Sequence, residues 1–314
     1  MKYKVYVDGQ EGTTGLKIFE RLDKRDDLEI LKIDSDKRKD LSERKKFINS
    51  ADIVFLCLPD DASREAVTLL ENSKTKIIDA STAFRTDDNW VYGIPELTGM
   101  RTKISNAKKV SNPGCHATGF IMLLKPLIEK GLISNDALIS ATSVTGYSGG
   151  GKKLIEKYQN KDNFNRVSPP LHYALNLNHK HLKEMQKISG SNHTPIFTPI
   201  LGNFYNGMVV SIPIHKISFE KNINPTDIHS LYKEYYNNQK FVKIMDLDFD
   251  KYLDEGCLPP TTCNETNNIE LFVFGNEDRL LLSARFDNLG KGASGAAIQN
   301  MNIMLGLNEF SGLI

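Results

Sequence analysis

The 314-residue chain has almost no net charge, few cysteines and no long apolar run, and each shortage removes a class of function. Forty basic residues against 39 acidic ones leave a formal charge of +1, so no global field favours nucleic acid or an anionic membrane. No apolar run reaches the roughly 20 residues that a membrane-spanning helix needs, and Lys2 to Val7 reads as a strand rather than as the core of a secretory signal. A soluble, cytoplasmic protein with neither nucleic acid nor membrane as partner is expected. Cys57, Cys115, Cys257 and Cys263 are too few and too scattered for a disulfide framework. Cys257 and Cys263 are spaced too widely for zinc ligands and have no histidine nearby, so no metal is expected. Cys57, inside the run Ile53 to Leu58, reads as a small buried hydrophobe. Long linkers, low-complexity segments and internal repeats are also missing.

What is present is 40% apolar residues in a chain long enough for two domains. In the first third, apolar runs at Val5–Val7, Leu28–Ile33, Ile53–Leu58 and Ile77–Ile78 alternate with the helical stretches Leu16–Leu22 and Ala62–Leu70. That alternation predicts an α/β fold with a doubly wound parallel sheet. The first strand runs into Gly9-Gln10-Glu11-Gly12-Thr13-Thr14-Gly15. Glycine there admits backbone N–H groups to a dinucleotide pyrophosphate, and the helix start adds donors and a positive dipole end. A plain tight turn is the alternative, since the spacing is not the commoner G-x-G-x-x-G. After the second strand, Asp34 would suit a ribose hydroxyl, whereas Ser35, Lys37 and Arg38 would suit a 2′-phosphate and favour NADP. Beyond residue 113 the pattern changes to β runs at 137–144, 195–200, 208–214, 269–274 and 280–286 with few helices between them, predicting an α+β domain with a mixed or antiparallel sheet. Ser294–Leu307 reads as a closing helix with small residues at its start.

The segment Ser111-Asn112-Pro113-Gly114-Cys115-His116-Ala117-Thr118-Gly119 carries the chemistry. Pro113 and Gly114 disfavour a continuing strand and an earlier helix start, and Phe120 to Leu124 begins a buried helix. Cys115 should therefore open that helix, where the dipole favours the thiolate and makes a nucleophile. An aldehyde-forming reductase also needs an acid/base, for which histidine is suited. The pair His179 and His181 stands at a helix start; two residues apart, they are expected to point in different directions, so that only one faces the site. His116 reads as a packing residue. For an anionic substrate, Gly146-Tyr147-Ser148-Gly149-Gly150-Gly151-Lys152 offers backbone donors, a hydroxyl and a lysine, and Arg85 in Ser81-Thr82-Ala83-Phe84-Arg85 offers a guanidinium fork at a strand end. A flexible loop and a surface arginine are the plain alternatives.

Together these segments, with Tyr92-Gly93-Ile94-Pro95-Glu96-Leu97 and Asn288-Leu289-Gly290-Lys291-Gly292-Ala293-Ser294-Gly295-Ala296-Ala297, resemble the N-acetyl-gamma-glutamyl-phosphate reductases, most closely their shorter, type 2 subgroup, related to aspartate-semialdehyde dehydrogenases. The resemblance implies a dinucleotide-binding domain of residues 1–113 and 288–314 with a catalytic and dimerisation domain of 114–287 inserted. It implies Cys115 as nucleophile and His181, rather than His179, as acid/base, although proline often stands in the family where this chain has Lys183. Together with the reading of the residues above, it places Gly9, Gly12, Thr13, Thr14, Gly15, Ser35, Arg38, Gly290, Gly292 and Ala293 on NADP, and Arg85, Ser148, Gly149 and Lys152 on the substrate. The implied reaction is NADPH-dependent reduction of an acyl phosphate through a cysteine thioester, by a homodimer or homotetramer. A dehydrogenase for aspartyl or aminoadipyl phosphate, a non-catalytic dinucleotide-binding protein and a cysteine hydrolase are the competing readings.

Overall fold

The structure, a computed structural model, describes residues 2–313. The chain forms two compact units, one running to Pro113 and resuming at Ala293, the other spanning Gly114–Gly292.

The first unit alternates strand and helix as the apolar runs predict. β1 (Tyr3–Asp8), α1 (Thr13–Leu22), β2 (Leu28–Leu31), α2 (Leu41–Ser50), β3 (Ile53–Leu56), α3 (Asp60–Thr68) and β4 (Lys76–Asp79) are followed by β5 (Val91–Tyr92), α4 (Met100–Asn106) and β6 (Lys109–Ser111). All six strands are parallel, in the order β2-β1-β3-β4-β6-β5. Continuous apolar strands such as Ile53-Val54-Phe55-Leu56, every residue of which is buried, fit a sheet covered on both faces. The chain steps from β1 to β2 on one side and returns to β3 on the other, so the strand order reverses beside β1. Open α/β sheets bind ligands in the crevice at such a reversal. The turn after β1 lies there: Gly9 has φ +89°, and a Cβ on it would collide with the carbonyl of Cys57 at the end of β3.

The second unit is built around one helix. α5 (Cys115–Glu129) is buried almost all round, with Phe120, Ile121, Met122, Leu123, Leu124 and Leu127 at 0% exposure, so it is a core helix rather than an amphipathic one. Each such side chain contributes about 1.5–3 kcal/mol on burial. A seven-stranded mixed sheet lies against it, comprising β7 (Ser140–Gly146), β8 (Leu171–His172), β9 (Ile196–Gly202), β10 (Met208–His215), β11 (Val242–Ile244), β12 (Ile269–Gly275) and β13 (Arg279–Phe286) in the order β11-β12-β13-β10-β7-β9-β8. Gly119 allows the close approach: a Cβ there would sit 2.8 Å from Val210 Cβ and 3.0 Å from the Phe286 ring. The remaining helices of the unit are α6 (Lys152–Gln159), α7 (Phe164–Val167), α8 (Leu182–Ser189) and α9 (Pro225–Tyr235).

The chain re-enters the first unit at Ala293 and forms α10 (Gly295–Leu305), a buried helix packed on α4, β4 and α1. This return lies at 292/293, five residues beyond the expected 287/288 boundary. The reason is that Asp287 and Asn288 are tied by side-chain hydrogen bonds to Asn206, Gly207 and Ser148, all in the second unit. Among the described residues no helix is long and apolar enough to cross a membrane.

Candidate active site

Cys115 is the first residue of α5, half-buried, with Gly114 as the N-cap in an extended conformation and without a side-chain cap. No acidic residue enters the first turn, so no residue of the helix itself offsets the positive end of its dipole beside the thiol. The other thiols differ. Burial pushes Cys57 far up, pushes Cys263 up to about 12, and leaves only Cys257 exposed. No group of three or more potential metal ligands occurs among the described residues.

Three imidazoles meet beside the thiol helix. The His116 ring lies 5.2 Å from that of His179 and 5.5 Å from that of His181, and the last two are 4.7 Å apart. The expectation that residues two apart must diverge is therefore corrected. It holds in a helix, where residues two apart lie on nearly opposite sides, but residues 179–181 form a turn, in which Leu182 N donates to His179 O before α8 begins, and turn geometry lets both rings converge. The backbone N–H of His181 donates to His179 Nδ1 at 3.2 Å, so the proton of a neutral His179 lies on Nε2. His116, 3% exposed, pairs its Nδ1 with Ser143 Oγ at 2.9 Å and its Nε2 with Tyr173 Oη at 2.7 Å. Burial, reinforced by the charges of His179 and Lys180, holds His116 well below 6.5 and hence neutral. Burial and then the negative charge of Cys115 push the Tyr173 hydroxyl up, so it stays protonated beside the thiol.

Glu184 is the residue that sequence reasoning missed. At 2% exposure, its Oε2 accepts the Gly114 N–H at 3.1 Å, and its Oε1 stands 3.9 Å from His181 Nε2, an ion pair whenever that ring is protonated. One carboxylate thus holds both the turn before the nucleophile and the histidine. An acid three residues after a histidine at a helix start was the available signal.

The neutrality of His116 has a consequence for stability. Its folded pKa lies below its unfolded value of about 6.5, so stability is fully present above that value and is lost as pH falls towards the folded pKa. Melting temperatures of the wild type and of His116→Gln should converge between pH 7.5 and 5.5, because only the wild type bears this protonation penalty. A constant gap would show that His116 is protonated as readily in the fold as out of it.

The expected ligand residues fall into separate groups. In the first unit, Gly9 and Gly15 are crowded by backbone, while Gly12 is exposed as the N-cap of α1, which starts at Thr13 and Thr14 with no acid in its first turn. Ser35 is exposed in the loop after β2, and Arg38 of that loop pairs with Glu11 of the glycine turn. Arg85 is only 8% exposed: Nε donates to Asn112 O at 3.0 Å and one terminal nitrogen to Ala80 O at 3.1 Å. It is thus no surface arginine, and it fixes the chain three residues before Cys115. Asn112 Nδ2 donates to Ala293 O at 2.9 Å. In the second unit, a Cβ on Gly290 would collide with Thr266 O, and one on Gly292 would lie 2.8 Å from Cys115 Cβ, so the Gly290–Gly292 turn packs directly on the nucleophile. Ser148 is 1% exposed, Gly149 is exposed, and Lys152 is the exposed first residue of α6.

A parallel-sheet unit with a glycine turn at its strand reversal, and a separate unit with a thiol on the first residue of a buried helix, define a dinucleotide-binding dehydrogenase of the thiol type. The NAD binding domain of semialdehyde dehydrogenases matches residues 4–107, and their dimerisation domain matches 115–288. The chain is 48% identical to N-acetyl-gamma-glutamyl-phosphate reductase 2 of Nostoc sp., over 99% of each chain. It is 43% identical to N-acetyl-gamma-glutamyl-phosphate reductase of Brucella suis, over 98% of this chain and 100% of that one. It belongs to the semialdehyde dehydrogenase family and, within it, to the N-acetyl-gamma-glutamyl-phosphate reductases. Its fold is shared with aspartate semialdehyde dehydrogenase II of Vibrio cholerae (TM-score 0.70, 14% identity, 98% and 99% of the two chains) and with aspartate semialdehyde dehydrogenase with NADP from Candida albicans (TM-score 0.68, 14% identity, 96% and 98%).

Proposed function

We propose that the chain is a cytoplasmic, NADP-dependent reductase that converts N-acetyl-L-glutamyl 5-phosphate into N-acetyl-L-glutamate 5-semialdehyde and phosphate, a step of arginine biosynthesis, through a thioester on Cys115. The observation that carries this reading is the thiol at the start of the buried helix α5, with Glu184 joining its N-cap to His181.

The residues of the first unit fit a dinucleotide. Crowding excludes any side chain at Gly9 and Gly15, while exposed Gly12 leaves the start of α1 open to a pyrophosphate. Arg38, drawn to the glycine turn by Glu11, brings a guanidinium to the place where a 2′-phosphate distinguishes NADP, with Ser35 nearby in sequence. Bound NADPH supplies the hydride. The chain supplies the rest. The Cys115 thiolate attacks the acyl carbon, a C–S bond forms, the bond to the phosphate oxygen breaks, and phosphate leaves. Tyr173 and His181 are the proton-bearing groups for the oxyanion, and the one proton that the reduction consumes ends on the departing phosphate. After reduction of the thioester, the oxyanion collapses to the aldehyde and the C–S bond breaks, returning the thiolate. A thioester accepts hydride more readily than a carboxylate, and the covalent bond holds the acyl group in place. Arg85, Ser148, Gly149 and Lys152 are the groups proposed for the phosphorylated substrate, and Gly290, Gly292 and Ala293 for the approach of the nicotinamide.

A homodimer or homotetramer is part of the same reading. The register of β7, β9, β10 and β13 puts Ile196, Ile200, Val144, Val209, Pro213 and Leu281 on the sheet face opposite α5, with Ile196 57% and Leu281 38% exposed. The same register interleaves Thr142, Thr198, Ser211 and Ser283 with them, and a second copy seated on this mixed face fits the dimerisation domain matched there.

The test is phosphate-dependent reduction of NADP by N-acetylglutamate semialdehyde, read at the absorbance of the reduced cofactor, with aspartate semialdehyde in parallel. Activity with the acetylated substrate alone is expected. A preference for aspartate semialdehyde would reassign the substrate, and silence with both would reject the enzyme.

A further inference from the structure

Four loops of the second unit are joined by a buried polar network of which the proposed reaction uses only Ser148. The Asp287 carboxylate accepts from Asn206 Nδ2 at 2.9 Å, Glu265 N at 2.8 Å and Leu289 N at 2.8 Å. Next to it, the Asn288 side chain, at 2% exposure, bridges two groups: its Oδ1 accepts from Gly207 N at 2.8 Å, and its Nδ2 donates to Ser148 Oγ at 3.0 Å.

The polarity of this bridge is not a matter of choice. A backbone N–H can only donate, so the Asn288 atom facing Gly207 must be the carbonyl oxygen, and the atom facing Ser148 must be the NH2. Ser148 Oγ is therefore an acceptor in this bond, and its own hydrogen must point elsewhere. Among the described residues no group accepts it, although Ser148 is 1% exposed. A buried hydroxyl held in donor orientation without an acceptor calls for one from a ligand. The neighbouring groups favour an anion: Gly149 and Gly150 are exposed, and Lys152 opens α6.

We propose that Asn288 is a positioning residue that fixes the Ser148 hydroxyl as a donor to the phosphoryl group of the substrate, or to inorganic phosphate in the reverse reaction. This deepens the proposed function and rests on it for the identity of the substrate. The ligand chemistry is a phosphate dianion, and the selecting device is the direction of one hydrogen bond set by the Gly207 amide.

Asn288→Asp tests it. A carboxylate still accepts from Gly207 N but cannot donate to Ser148, so the hydroxyl turns inward and its donor is lost to the ligand. Loss of one hydrogen bond to a charged group should raise KM for inorganic phosphate, and for the acyl phosphate in the forward direction, about tenfold to a hundredfold. Ser148→Ala should do the same, and the double variant should show no further loss. An additive double variant would mean that the new charge merely repels phosphate, and a KM rise confined to the semialdehyde would place Ser148 on the other end of the substrate; either overturns the proposal. Should the Asn288→Asp protein fail to fold, protection of Cys115 from iodoacetamide by inorganic phosphate provides the reading in wild type and Ser148→Ala. Protection weakened by the serine exchange is expected, and equal protection in both refutes the inference. That measurement needs no turnover, so it stands or falls separately from the identity of the acyl substrate.

Discussion

Exchange of Cys115 for serine is expected to lower turnover by about four orders of magnitude or more while leaving NADPH affinity within about twofold, as measured by cofactor fluorescence. A serine hydroxyl is not ionised near neutral pH. A helix dipole that favours a thiolate cannot make an alkoxide of it. The exchange should also remove one iodoacetamide-reactive site. Peptide mapping is required for that reading, because Cys257 is exposed and will label in either protein, whereas Cys57 and Cys263 are held as protonated thiols by burial. Retained turnover in the serine variant would exclude a thioester, and loss of NADPH binding would show that Cys115 supports the cofactor rather than the chemistry.

The features that could be read from the sequence are those fixed by neighbours along the chain. β1, β3, β10 and β13 follow apolar runs, and α5 begins at Cys115 because Pro113 and Gly114 allow it neither earlier nor as a strand. The glycine turn was legible for the same reason, since the conformation at Gly9 is local, although its crowding by Cys57 is not. What escaped depends on contacts between distant segments. Glu184 reaches Gly114 across 70 residues, and Asn288 reaches Ser148 across 140. Neither pairing leaves a mark on hydrophobic periodicity. The convergence of His179 and His181 on His116 escaped for a subtler reason: the divergence of residues two apart belongs to a regular helix, and those two residues lie in the turn before one. The point at which the compact units part, 292/293, is illegible for a similar reason, because side-chain bonds of Asp287 and Asn288, rather than composition, hold those residues in the second unit.

Exchange of Glu184 for glutamine separates the two tasks of that carboxylate. The amide oxygen of glutamine can still accept the Gly114 N–H, so the turn before Cys115 should persist and the melting temperature should change little. The charge beside His181 is lost, however, and with it the stabilisation of an imidazolium 3.9 Å away. Because a positioned acid or base contributes about a hundredfold or more, kcat is expected to fall about a hundredfold with KM nearly unchanged. Alanine at the same position should fail in both respects, since it also leaves the Gly114 N–H buried without its acceptor, at a cost of about 1–3 kcal/mol. The contrast is what makes the measurement decisive. If glutamine restores both stability and rate, Glu184 is a purely structural link. If glutamine restores stability alone, the carboxylate acts on the chemistry through His181, and that histidine is the acid/base.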